Sequence, residues 1–210
     1  MRKSSALLAA LLLVGFAAPA AAQAWDTPSF FAPRPHDDVG AYLIKPEGGD
    51  LGVVAIWRQS GNINLGVRGG IGGDSDDRVF MLGAELYGPV PLATTGLPIL
   101  LAWNTGIGAG FNGVTSLRIP LGVSIGLDLG RESGLAITPY VHPRATFDLF
   151  VIERANGEED TETDFDVEVD IGADVQLGER WLLRAGFSLA NVEVFGVGLA
   201  YRLPRAVAVR

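Results

Sequence analysis

From Ser116 to Leu129, apolar residues alternate with small or polar ones without a break. Leu117, Ile119, Leu121, Val123, Ile125, Leu127 and Leu129 share one parity; Ser116, Arg118, Pro120, Gly122, Ser124, Gly126 and Asp128 share the other. Successive side chains leave an extended backbone on opposite sides, so a period of two marks a strand whose faces meet different surroundings. The pattern returns at 165–177, where Phe165, Val167, Val169, Ile171, Ala173, Val175 and Leu177 oppose Asp166, Glu168, Asp170, Gly172, Asp174 and Gln176. It returns again at 62–72 and 99–111, and weaker versions occupy 38–46, 51–59, 78–87, 135–150, 181–190 and 193–203. Turn-forming clusters such as Glu47-Gly48-Gly49-Asp50 and Arg131-Glu132-Ser133-Gly134 separate them. The count is about ten strands in up-and-down order, with a floor of about eight. Pro120, Pro139 and Pro143 each remove a ladder donor, which predicts bulges or a break near the middle of the seventh strand.

Ahead of this region stands a targeting signal. Arg2 and Lys3 precede an apolar run from Ala6 to Ala18, and Ala22-Gln23-Ala24 offers a small-x-small cleavage site. The expected domains are a cleaved signal at 1–24, a Pro-rich lead-in at 25–36 serving as a periplasmic tether, a barrel at 37–203 and a tail at 204–210. The mature chain then begins at Trp25. It has no cysteine, so neither disulfides nor a lipid-modified N-terminus enter the account. A net charge of −8 argues against a nucleic-acid partner.

Alternation alone does not say which face meets the outside, because a soluble barrel turns its apolar face inward and a membrane barrel turns it outward. The polar face decides. Past the signal, Lys45 is the single lysine, and the polar face is dominated by Gly, Ser and Asn with scattered Arg and Asp. That composition suits a narrow lumen in which charges pair better than it suits a surface in water. The lumen-lining candidates are Arg68, Glu85, Arg118, Asp128, His142, Arg144, Asp148, Asp166, Glu168, Asp170, Asp174, Arg184 and Arg202. Trp57, Tyr87, Trp103, Phe147, Trp181 and Tyr201 are candidates for interfacial girdles. Residues 153–164 read as the longest and most acidic loop, expected on the outer side, while the connections at 130–134 and 178–180 read as tight turns on the inner side.

The leader, the glycine-rich alternating strands and the tight turn Leu177-Gly178-Glu179-Arg180-Trp181 resemble small outer-membrane β-barrel proteins of Gram-negative bacteria over residues 37–203. The resemblance implies a C-terminal assembly signal, which Gly198, Tyr201 and Leu203 match in spacing, and hence the barrel-assembly machinery as a partner beside outer-membrane lipid. Gly196 departs from the pattern where a polar residue is usual, and Pro204–Arg210 extend past the customary end.

No catalytic constellation stands out. His142 shares a nominal face with Ser124 and Asp148, but a hydrogen-bonded lumen histidine is the expected reading. The glycines of 69–73 and 106–110 lack the lysine ending and following helix of a phosphate loop. The carboxylates near 158–164 lack the spacing of a calcium loop. No cofactor, metal or catalytic residue is expected. The fold class is all-β, an antiparallel up-and-down transmembrane β-barrel of eight to ten strands. The expected function is non-enzymatic, structural or facilitating passage of a small or apolar ligand. Its rivals are a soluble periplasmic barrel binding an apolar ligand and an outer-membrane enzyme acting on envelope lipids.

Overall fold

A computed structural model describes residues 27–74, 77–92, 98–112, 114–130, 135–153, 159–190 and 193–204. The expected leader, Trp25 and most of the C-terminal tail lie outside the described residues. Ten antiparallel strands run as β1 Asp38–Pro46, β2 Gly52–Gln59, β3 Leu65–Asp74, β4 Asp77–Pro89 and β5 Ile99–Asn112, followed by β6 Val114–Leu127, β7 Ile137–Glu153, β8 Glu159–Leu177, β9 Trp181–Leu189 and β10 Val194–Arg202. Each strand pairs with its sequence neighbours, and β1 pairs with β10 from Asp38↔Arg202 to Pro46↔Val194, which closes the sheet. Closure leaves no unpaired edge to aggregate.

The proline expectation is corrected in detail. Between β5 and β6 the ladder runs to Thr105↔Leu121 and resumes at Gly108↔Arg118, so it opens beside Pro120 without a change of register. Thr105 Oγ1 donates to the Pro120 carbonyl there at 2.9 Å. Between β6 and β7 a similar opening separates Gly122↔Arg144 from Ile125↔Val141, beside Pro143. β7 itself is unbroken and stays paired with β8 along its whole length, Pro139 and Pro143 included. The acidic loop is corrected too. β7 continues to Glu153 and β8 begins at Glu159, so most of 153–164 is a long hairpin rather than a loop.

Among the described residues, the interior parity holds the buried charges. Five buried arginines (Arg58, Arg68, Arg118, Arg144, Arg184) face six buried carboxylates (Asp38, Glu85, Asp148, Glu168, Asp170, Asp174). One quarter is apolar instead, where Tyr42 and Ile44 of β1, Val54 and Ile56 of β2, Met81 of β4 and Val194 of β10 gather round Phe30. Glycine sets the clearance for the larger groups. A Cβ at Gly172 would lie 2.4 Å from the Tyr140 ring, and one at Gly122 would lie 2.2 Å from His142 Nε2. Substitution at either site displaces an interior side chain.

Candidate functional site

The interior is already occupied. The lead-in does not hang free as a tether: residues 27–33 are buried inside the barrel. Ser29 touches β7 and β8 through His142 and Asp170, and β2 and β3 through Arg58 and Arg68. Phe30 stacks on Tyr42 of β1 with ring centroids 4.2 Å apart, and Phe31 meets Tyr87 of β4 edge-on at 5.8 Å. Contacts to strands on opposite sides of the wall put Ser29–Phe31 near the barrel axis.

The main chain of this segment is held by charged side chains. The Ser29 N–H donates to Asp170 Oδ2 at 2.9 Å. The Ser29 carbonyl accepts from Arg58 Nη2 at 2.9 Å and Arg68 Nη2 at 2.7 Å, and the Phe30 carbonyl accepts from Arg58 Nη1 at 2.8 Å. Arg58 is meanwhile oriented by Glu85, whose Oε1 lies 2.5 Å from its Nε. One planar guanidinium thus serves a carboxylate and two carbonyls, a task suited to its fork of donors. Arg144 reaches the Thr27 carbonyl at 3.4 Å and pairs with Glu168 at 2.5 Å. Phe30 has φ +47°, a left-handed backbone uncommon for a bulky residue. Such a conformation costs about 1–3 kcal/mol and persists where the surroundings over-determine it, as the Arg58 bond and the Tyr42 stack do here.

Away from the segment the same economy holds. Arg118 forks onto Asp148 at 2.5 and 2.6 Å and reaches Glu168 at 3.0 Å. Arg184 spans the strand closure, pairing Asp38 of β1 at 2.6 Å and Asp174 of β8 at 2.9 Å while donating to Tyr42 Oη at 3.0 Å. Asp128 and Arg202 stand elsewhere, at the mouth where β1 begins and β10 ends. Asp128 receives Arg34 in a bidentate pair at 2.6 and 3.1 Å, and Arg202 donates to the Glu179 carbonyl. Asp166 is half-buried on β8.

His142 is completely buried, and its neighbours differ from those expected. Ser124 and Asp148 are not its partners. Ser29 Oγ and Asp170 Oδ2 both approach Nδ1, at 2.7 and 3.3 Å, while Nε2 faces Asn104 Oδ1 at 2.9 Å. A serine relay needs the hydroxyl on one ring nitrogen and the carboxylate on the other. Here both crowd one nitrogen in a packed interior, so the group fastens the segment and lacks the geometry of a relay.

At the mouth, His36, Asp37, Ser60, Arg180 and Arg202 line a polar recess of about 480 Å³. Burial, with Arg202 and Arg184 nearby, lowers the His36 pKa from 6.5 to about 4. The folded mouth therefore refuses a proton that the unfolded chain accepts. The contribution of neutral His36 to stability is full above about pH 6.5 and is lost as pH drops towards 4. Denaturant unfolding at several pH values should show this decline in wild type and a flatter one in His36→Gln. Equal slopes would remove His36 from the account.

The outside of the wall is the converse of its inside. Leu43, Leu82, Ile107, Leu121, Val141, Phe165, Val167 and Leu199 all point outward and are exposed, as are Phe80, Phe111 and Phe195. At β6 the change of face takes one residue: Val123 is 39% exposed and Ser124 0%. A continuous apolar exterior round a closed, charge-filled wall fits lipid and not water. The chain is a transmembrane β-barrel.

The soluble rival therefore fails on the direction of the barrel's apolar face. Trp103 and Trp181 are exposed on the exterior towards the end where β1 begins and β10 ends, and Trp181 packs edge-on against Tyr201 at 5.2 Å. Tyr87 is no girdle residue, since it is buried against Phe31. Of the residues matching the assembly signal, Gly198 sits in β10, where a Cβ would meet the Ala41 carbonyl oxygen at 2.1 Å. Tyr201 accepts from Arg180 at 2.7 Å, and the Leu203 N–H donates to the Asp37 carbonyl at 2.7 Å. Sequence reasoning missed Arg58, Asn104, Ser29, Phe30 and Phe31. On β2 both parities are apolar (Val53 to Trp57), so the inward face of Arg58 was unreadable there.

No family model and no curated protein matches the sequence. Solved structures similar to the barrel include the KdgM porin, at 8% identity over 80% of this chain and 99% of that one, with TM-score 0.40. Neisserial surface protein A is 13% identical over 79% of this chain and 95% of its own, with TM-score 0.36. Ail, the attachment invasion locus protein of Yersinia pestis, is 9% identical over 79% and 95%, with TM-score 0.30. These neighbours are outer-membrane β-barrel proteins of Gram-negative bacteria.

Proposed function

We propose that the protein is a non-enzymatic outer-membrane barrel with a structural role, exported with removal of residues 1–24 and closed to diffusion by its own N-terminal segment. The observation that carries this reading is the seating of Ser29–Phe31 between Arg58, Arg68 and Asp170 across the barrel axis. A ten-stranded wall encloses little space beyond its own side chains, and here that space also holds a peptide. Passage of a ligand would require the segment to leave, so the structural reading is favoured over facilitated passage. An enzyme of envelope lipids would need a reactive group open to lipid or water, whereas Ser29, His142 and Asp170 are all buried. The exposed acids Glu162 and Asp164 of the β7–β8 hairpin require water, and we place them on the cell's outer side. Gly198, Tyr201 and Leu203 would serve recognition by the barrel-assembly machinery.

The test is electrical. Refolded into planar bilayers, the wild-type protein should give no stable conductance steps, while migrating differently on gels before and after boiling. Steady, well-resolved open channels in the wild type would overturn the closed reading.

A further inference from the structure

The groups that hold Ser29–Phe31 read a peptide by its main chain and by two aromatic side chains. We propose that the lumen is a recognition site for a short, bent peptide with adjacent aromatic residues, filled in cis by Ser29–Phe31 and able to take such a peptide in trans. The proposal deepens the closed-barrel reading and rests on the same site.

The main-chain contacts are sequence-independent and point both ways. A carboxylate, Asp170, takes an N–H, while Arg58 and Arg68 supply N–H groups to two successive carbonyls. Side-chain selection is separate. The Phe30 ring lies on Tyr42 and passes over Gly196, where a Cβ would come within 2.5 Å of it. Phe31 fits between Tyr87 and the His142 ring. The positive φ of Phe30 shows the site bending its occupant to fit. All the holding groups belong to the strands, so nothing in the recognition needs the covalent link through Asp37. If the segment left, the two outer nitrogens of buried Arg58 would lose their acceptors in an interior that penalises unpaired donors. Another peptide carbonyl is the chemistry that restores them.

The processed full chain, with a protease recognition sequence inserted between His36 and Asp37, would be folded and then cut. The cut fragment should co-elute with the barrel. A fluorescent synthetic peptide of residues 27–35 should exchange into the site, and its version with both phenylalanines changed to alanine should compete at least tenfold less well. Immediate loss of the fragment with no binding of the fluorescent peptide would overturn the proposal, as would equal competition by the alanine peptide. If the insertion resists cleavage, the uncut variant Phe30→Ala/Phe31→Ala serves. Fluorescent peptide binding to it but not to wild type supports the site, and binding to neither overturns it. Conductance separates the two readings: release of the fragment with no rise in current sinks the closed-barrel reading, whereas peptide exchange alone judges the recognition site.

Discussion

Arg58→Ala should lower the unfolding free energy in lipid vesicles by about 3–5 kcal/mol, the usual cost of removing one partner from a buried ion pair. The guanidinium is 1% exposed and bonds Glu85, the Phe30 carbonyl and the Ser29 carbonyl. Its loss strands the Glu85 charge in the interior and strips the Phe30 carbonyl of its Arg58 donor; Arg68 still reaches Ser29. Glu85→Gln added to Arg58→Ala should recover part of the loss, because it removes the stranded charge. Arg58→Lys should recover little, since an ammonium cannot present one planar fork to a carboxylate and two carbonyls. Arg180→Ala, at the exposed mouth, provides the control and should stay within about 0.5 kcal/mol. Tryptophan fluorescence against denaturant gives the numbers. A loss below about 1 kcal/mol for Arg58→Ala would mean that water solvates Glu85, and the packed lumen would be wrong. The same variant should also raise conductance, because the segment loses its principal clamp.

Leu121→Arg should cost about 2–4 kcal/mol in a bilayer, the penalty for a cation on the lipid face near mid-thickness. Leu121 lies in the body of β6, is 61% exposed and points outward. In a soluble barrel the same exposure would put arginine in water at almost no cost, within about 0.5 kcal/mol. The experiment therefore reads the solvent of the outer wall directly. Unfolding free energies compared between vesicles of normal and shorter acyl chains would add a second reading, since a thinner bilayer brings the guanidinium nearer to the headgroups and should reduce the penalty. An unchanged stability in both would refute the lipid-facing assignment.

How legible these features were in the sequence depended on the contrast between the two faces of each strand. β6 and β8 alternate strongly, and the span of β6, the core of β8 from Phe165 to Leu177, their outward residues and the inward placement of Arg118, Glu168 and Asp170 were readable from parity. β1 and β2 alternate weakly, because part of the interior they face is itself apolar where Phe30 fills it. The same cause hid Arg58. The β7–β8 hairpin misled for another reason: its acidic and threonine-rich ends have the composition of a loop, yet cross-strand pairing from Ile152↔Asp160 to Phe147↔Phe165 carries them as strand. Tyr87 was assigned to the wrong side because an aromatic near a strand end suits either a girdle or a plug.

Local periodicity determined, by itself, that this chain makes about ten antiparallel strands, and a polar face of small residues with scattered charges and almost no lysine marked the apolar face as the outward one. Those are properties of neighbouring residues and of composition, and they need no knowledge of the whole. What fills the lumen could be decided only by closure. Ser29 lies 113 residues from His142 and 141 from Asp170, and no local pattern couples positions so far apart. Once β1 pairs with β10, the charged faces of the surrounding strands converge on one narrow axis, where each buried donor must find an acceptor. The lead-in supplies three such acceptors in the carbonyls of Thr27, Ser29 and Phe30, and so a stretch that reads as a tether becomes the centre of the barrel.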